Sequence, residues 1–158
     1  YPLVTGVQTC ALPISRLVQI AWSVHDTTGA TLNKECFIIK PNGFTIGNSK
    51  YHGITTENAT ENGCNFVDVY EKMVEALKSC DTIVAHNIDF DMKIIQAEVY
   101  RLGLTDPFKG KKQVCTMTKC TTPGGKYPTL SELYNKCFKS ANTEICAKIY
   151  YHLVEATA

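Results

Sequence analysis

The order in which hydrophobic periodicities follow one another leaves this chain few folds to choose from. Leu17–Val24, LVQIAWSV, is β-branched and apolar and reads as a mostly buried strand. His25-Asp26-Thr27-Thr28-Gly29 supplies turn chemistry, and Thr31–Lys40, TLNKECFIIK, alternates as a second strand, so the two form a hairpin. Pro41 to Thr60, rich in Gly, Asn and Thr and containing YHGITTENA, reads as a loop. Phe66, Val69, Tyr70, Met73, Val74 and Leu77 then recur at helical spacing with charges on the opposite face. DTIVAHN reads as a short buried strand. Asp91 to Leu102 carries Met92, Ile95, Val99 and Leu102 on one stripe, closed by Gly103. Val114–Met117 reads as another strand, and Pro128-Thr129 opens a helix through TLSELYNKCF. A last helix, from about Asn142 to Glu155, buries Ile145, Cys146, Ile149, Tyr150 and Leu153. A hairpin followed by alternating helices and strands implies an α/β fold, a mixed sheet with helices packed on it. In such sheets functional residues collect at the carboxyl ends of strands. His86, Asn87 and Asp91 sit where one strand hands over to a helix.

A chain of 158 residues suffices for one domain with its own core. The net charge of +1 argues against a protein that coats long nucleic acid, though not against one that grips a few nucleotides locally. No apolar run approaches a membrane span, so no membrane partner is expected. The eight cysteines (Cys10, Cys36, Cys64, Cys80, Cys115, Cys120, Cys137 and Cys146) form no C-x-x-C pair, and several fall inside apolar patterns. They read as reduced, mostly buried thiols of a cytoplasmic protein rather than a disulfide scaffold. A zinc site is disfavoured because Cys115 and Cys120 lack paired ligands at a finger spacing.

Residues 1–15, YPLVTGVQTCALPIS, have neither the basic n-region nor the continuous apolar h-region of a secretory signal. VTGVQTCALPI, Val4 to Ile14, resembles the in-frame translation of a common short-read sequencing adapter. The expected division is therefore a non-native segment, 1–15, fused to a truncated domain, 16–158, whose natural sequence starts near Ser15 or Arg16.

From about Leu17 to Leu153 the chain resembles the DEDDh (DnaQ-like) 3′–5′ exonucleases. The resemblance is carried by LVQIAW with its hairpin, FIIKP, YHGIT, TIVAHN with the following FD, and VCTM before PTLSELY. It implies a ribonuclease H-like mixed β-sheet flanked by helices, acting on the 3′ end of single-stranded DNA or RNA. It also implies two divalent ions, Mg²⁺ or Mn²⁺, held by four carboxylates, with a histidine as general base. Such a pair of ions activates a water and stabilises the leaving oxygen of an in-line displacement at phosphorus. In the family the first two acids stand in a D-x-E strand, the third is the Asp of HN-x-x-FD, and the last motif is H-x-A-x-x-D. Asp91 matches the third acid, as metal ligand and catalytic residue, against the alternative of a plain helix N-cap. Asp89 falls on a variable position and reads as a solvated helix-start residue. His86, Asn87 and Phe90 match substrate-side and scaffold positions, and His52 and Gly53 match a loop near the terminal nucleotide.

Most of that machinery is not legible. The D-x-E strand should precede LVQIAW, where residues 1–15 stand, so the fold is expected to lack its native first, central strand. Leu3–Val7 suits that slot by apolar alternation alone. Asp26-Thr27-Thr28-Gly29 imitates D-x-E-T-x-G but lacks the glutamate and sits in a hairpin turn. In the last motif, NTEICAKIY places Asn142 where the acid belongs and Cys137 where the histidine belongs, by substitution or by a short deletion. With one acid of four and no general base, the chain is expected to be inactive as written. The alternative is a non-catalytic relative that binds nucleic-acid ends or a partner protein. Oligomeric state is not readable.

Overall fold

The structure is a computed structural model. It describes residues 16–47, 49–119, 125–129 and 131–132, together with the backbone course of residues 2–9. One five-stranded sheet organises the chain, in the order β3-β2-β1-β4-β5. β1 (Pro2–Thr9) is its central strand. It pairs antiparallel with β2 (Leu17–His25), which in turn pairs antiparallel with β3 (Thr31–Ile38). On its other side β1 runs parallel to β4 (Thr82–Ala85), and β4 runs parallel to β5 (Lys112–Cys115). The slot expected to lack its native strand is thus filled by the segment that suits it by alternation.

The hairpin forms as its sequence directs. Asp26 organises the turn, its carboxylate accepting the backbone N–H groups of Thr28 and Ala30 at 2.9 and 3.0 Å and the Thr28 hydroxyl at 2.6 Å. This is a turn-forming aspartate, in keeping with its reading as an imitation of the catalytic motif. β2 is buried nearly throughout, and β3, at the sheet edge, is exposed along its first four residues. Charged Lys34 and Glu35 on that edge oppose pairing with other chains.

The segment expected to be a loop holds two short helices, α1 (Ser49–His52) and α2 (Thr56–Asn62). α2, TENATEN, carries a single buried residue, Ala59, so no apolar period announces it. It is held by its cap, the Thr55 hydroxyl accepting the Asn58 N–H at 3.1 Å. Gly63 follows because the chain here crosses Lys40. A Cβ at Gly63 would stand 2.2 Å from the Ala59 carbonyl oxygen and 2.8 Å from the Lys40 nitrogen.

α3 (Phe66–Lys78) buries Phe66, Val69, Met73 and Leu77, the stripe its periodicity predicts. Its carboxyl end is closed by Lys111, whose Nζ donates to the carbonyls of Leu77 and Cys80. α4 (Ile88–Arg101) begins at Ile88, three residues before the expected start, and lies against β1, β2, β4 and β5. The two helices and one face of the sheet enclose Leu17, Ile20, Trp22, Val24, Ile83, Ala85, Met92, Ile95 and Val99. Burial of the larger aliphatic side chains among them contributes roughly 1.5–3 kcal/mol each. The Trp22 indole N–H lies inside this core with no hydrogen-bond partner among the described residues.

β5 ends at Cys115, and Thr116–Lys119 forms a short helix, α5, so the strand expected over Val114–Met117 is displaced by two residues. Ser131 and Glu132 open the helix expected after Pro128-Thr129. Thr129 and Glu132 cap it reciprocally, Glu132 N–H to the Thr129 hydroxyl at 3.1 Å and Thr129 N–H to the Glu132 carboxylate at 3.0 Å. Its continuation and the expected helix from Asn142, with Cys137 and Asn142, lie outside the described residues. Cys36, Cys64, Cys80 and Cys115 are free thiols.

Candidate active site at the junction of β4 and α4

β4 is buried along its length and ends at Ala85 beside the central strand. The chain then reverses direction within His86 and Asn87. Asn87 makes this possible by adopting the left-handed conformation, φ 64 and ψ 57. Asparagine tolerates that region better than other residues with a Cβ. As N-cap of α4 it makes no side-chain cap bond. The sulfur of Cys115, at the end of neighbouring β5, instead takes the backbone N–H groups of Asn87 and Ile88. Burial pushes the Cys115 thiol up, but those N–H groups, with the backbone and hydroxyl of Thr118, outweigh it and hold the thiol below its ordinary pKa.

The cap at Asn87 decides the position of the two aspartates. Asp91 is not the N-cap. It lies inside the first turn, its N–H directed at the Asn87 carbonyl at 3.5 Å, and it is 6% exposed. Asp89, in the same turn, is exposed. Phe90, between them, keeps 42% of its surface in solvent. Aspartate is among the side chains least often buried, so a buried aspartate at a strand's carboxyl end is a functional candidate with a physical reason.

His86 braces the junction from the other side. Its Nε2 donates to the Pro128 carbonyl at 3.0 Å, and its Nδ1 stands 3.0 Å from the hydroxyl of fully buried Thr116. Burial lowers the His86 pKa below the ordinary histidine value, against an opposing contribution from the Pro128 carbonyl. The neutral ring therefore donates through Nε2 and accepts the Thr116 hydroxyl at Nδ1.

His86, Asn87, Phe90 and Asp91 are thus brought together on one junction. His52 and Gly53 belong to the connection from β3 to α3. The His52 Nδ1 accepts the Ile54 N–H at 3.1 Å and its Nε2 donates to the Gly47 carbonyl at 3.0 Å. Both ring nitrogens serve the loop itself. Gly53 ends α1 at φ +76, a left-handed position with open space where a Cβ would stand. Cys115, Thr116 and Pro128 complete the surroundings of the junction, and the sequence analysis assigned none of them to this site. The first two stand at the carboxyl end of β5, and that placement is the signal that could have found them.

The donor set of the described residues does not fit two divalent ions. Among the described residues no group of three His, Cys, Asp or Glu side chains is placed to hold a metal. The neighbouring central strand, PLVTGVQT, contains no residue of those types.

Neither a family model nor a curated protein matches the sequence. Solved structures do. A product-bound exonuclease I superposes with a TM-score of 0.80 at 16% identity, over 99% of this chain and 43% of that one. The chain shares its fold with exonuclease I. An SSB/exonuclease I structure with the inhibitor CFAM gives a TM-score of 0.80 at 16% identity, over 99% of this chain and 41% of that one. E. coli exonuclease I in complex with a dT13 oligonucleotide gives 0.76 at 16% identity, with the same coverage, 99% and 41%. The chain spans about two-fifths of the length of the exonuclease I chains it matches. The ribonuclease H-like mixed sheet flanked by helices, expected from the sequence, is the observed architecture. No helix among the described residues is long and apolar enough to cross a membrane.

Proposed function

We propose that the chain is part of a metal-dependent 3′–5′ exonuclease hydrolysing phosphodiester bonds at the 3′ ends of single-stranded nucleic acid, and that in its present form it does not turn over. The observation that carries this reading is Asp91, buried at the carboxyl end of the strand beside the central one, within a fold shared with exonuclease I. A single-stranded DNA end is the favoured substrate, because the matched structures include complexes with dT13 and dA16 oligonucleotides. Exposed Phe90, next to Asp91, offers a face on which a terminal base can stack. His86 and Asn87 serve as positioning residues, one tying the junction to two neighbouring segments and the other making its turn. Inactivity follows from the donor count. Asp91 alone supplies neither the charge to hold hard cations nor the field that lowers the pKa of an attacking water. Residues 1–15 are read as a non-native segment, of which Pro2–Thr9 forms the central strand without bringing its acids.

Digestion of a 3′-labelled single-stranded oligonucleotide with Mg²⁺ or Mn²⁺, with and without EDTA, tests the proposal. The chain as given should release no nucleotide. A chain with a D-x-E strand in place of Pro2–Thr9 and a His and an Asp restored at positions 137 and 142 should digest from the 3′ end in an EDTA-sensitive manner. EDTA-sensitive digestion by the unrepaired chain would overturn the donor count. A repaired, folded chain that binds the oligonucleotide without cutting it would favour a non-catalytic end-binding relative.

A further inference from the structure

Four donors converge on the buried carboxylate of Glu98. Its Oε1 accepts from Arg16 Nε at 2.9 Å, from Arg101 Nη1 at 3.0 Å and from the Leu17 N–H at 3.1 Å. Its Oε2 accepts from Arg16 Nη2 at 3.2 Å. Glu98 therefore grips one edge of the Arg16 guanidinium, and the Arg16 Cζ lies 4.1 Å over the centre of the Phe44 ring, which covers a face. A guanidinium carries five N–H donors. Glu98 takes two, and among the described residues Arg16 makes no other hydrogen bond. The N–H groups that remain, both of those on Nη1 among them, form a fork whose plane is already fixed. Such a fork matches a phosphate or carboxylate, two oxygens at a time.

Arg16 lines a cavity of about 630 Å³, within the range of small-molecule sites, roughly 300–1,000 Å³. The cations of that cavity, Arg16, Lys40 and Arg101, outnumber its carboxylates, Glu98 and Asp68, and Glu98 is already saturated with donors. The excess positive charge favours an anion. Another part of the wall is apolar, with Val67 and Leu102 leaving 41% and 42% of their surfaces in solvent. Asn42 and Asn65 stand on the same wall, and neither amide makes a hydrogen bond among the described residues. Each amide can donate to and accept from the edge of a base. Fixed cationic donors, an apolar surface for a flat ring and amides for its edge match the parts of a nucleotide.

We infer that this cavity, between the amino end of α3 and the carboxyl end of α4, binds a nucleotide through its phosphate. The free fork of Arg16 takes the phosphate with Lys40 as second cation, and the base lies against Val67 and Leu102. The site is separate from the junction of β4 and α4. Glu98 follows Asp91 by two turns of the helix, about 10 Å. The inference does not rest on the exonuclease reading, which assigns none of these residues.

Isothermal titration calorimetry on the full chain, without divalent ions, tests it. The probes are adenosine 5′-monophosphate, adenosine and a short single-stranded oligonucleotide. The monophosphate should bind one to one. Adenosine, which lacks the phosphate, should bind at least about tenfold more weakly, the scale of one charge-assisted hydrogen bond. Arg16→Lys keeps the charge but not the fork, and should weaken the monophosphate by at least as much. Lys40→Ala should weaken it about two- to fivefold, as loss of an exposed ion pair does, and should flatten its salt dependence. Lys112→Ala, on the far edge strand, should change nothing. Should the oligonucleotide bind with the same dependence on Arg16 and Lys40 while the monophosphate does not, the site stands and its phosphate belongs to a strand. The inference is overturned if neither phosphate probe binds at millimolar concentration, or if adenosine matches the monophosphate. It is equally overturned if Arg16→Lys and Lys40→Ala leave binding unchanged. Because Arg16 is a partner of buried Glu98, circular dichroism first establishes that Arg16→Lys is folded. If it is not, Lys40→Glu, at an exposed position, decides alone. It should weaken binding about tenfold, and unchanged binding overturns the inference.

Discussion

Asp89 and Asp91 differ in one respect that their shared helix turn conceals, since one is in water and the other is 6% exposed. In the repaired, active chain Asp91→Asn should lower the digestion rate by more than about 100-fold, the scale on which single preorganised electrostatic groups act. Asp89→Asn should stay within about twofold of its parent. Rates on a 3′-labelled oligonucleotide decide between them, and equal losses would make the turn merely a charged helix start. His86 carries a second prediction. Its folded pKa lies below the ordinary 6.5 because burial penalises the charged ring. As pH falls through 6.5 the unfolded chain takes up the proton before the folded one does. The stability that depends on neutral His86 is therefore complete above this window and is lost as pH falls from 6.5 towards the folded value. Urea midpoints should decline between pH 7.5 and 5.5, and His86→Gln, which keeps a donor for the Pro128 carbonyl, should decline less. Parallel slopes would show that the ring titrates as it does in solvent.

At the scale of elements, what is legible in the sequence is what local periodicity encodes. α3 shows itself because Phe66, Val69, Met73 and Leu77 all face the core. α4 is visible through Met92, Ile95 and Val99, but its start is not. That start depends on the left-handed turn at Asn87 and on a sulfur from β5 taking its first N–H groups, neither of which lies in the helix's own pattern. α2 is polar nearly all round and escapes for the same reason. Asp91 is legible because its neighbours form a motif. The contacts of His86 are not, since Thr116 and Pro128 lie 30 and 42 residues away. Glu98 is similar, a charged residue in a helical pattern that turns out to be buried. Its carboxylate accepts from Arg16 at 2.9 and 3.2 Å, from Arg101 at 3.0 Å and from the Leu17 N–H at 3.1 Å, fastening the end of α4 to the start of β2. Glu98→Ala should cost about 2–3 kcal/mol, below the 3–5 of a fully buried pair because Arg16 retains some solvent. A urea midpoint implying less than about 0.5 kcal/mol would show the cluster to be no more than a surface ion pair.

For the whole molecule the deciding element is β1, which joins the β2–β3 hairpin to the β4–β5 pair. The full chain should therefore unfold cooperatively, and deletion of residues 1–9 should leave two unpaired strand edges over an open core. That shortened chain should bind a hydrophobic dye and lose its cooperative transition while keeping helical circular dichroism, the behaviour of a collapsed but unpacked state. A sharper prediction follows from the proposal that residues 1–15 are not native. A strand that fills its slot by backbone hydrogen bonds and apolar alternation can be exchanged for any other strand with the same alternation. Replacing Pro2–Thr9 by an unrelated alternating Val–Thr strand of equal length should change the unfolding free energy by no more than about 1.5 kcal/mol, within the range of volume-conserving core exchange. A strand shaped by selection against the side chains of β2, β4 and α4 would lose several times that, because close complementarity supplies the last few kcal/mol of a native core. A large loss on exchange would therefore mark Pro2–Thr9 as the chain's own central strand, and the absent carboxylates as a property of the protein rather than of a foreign segment.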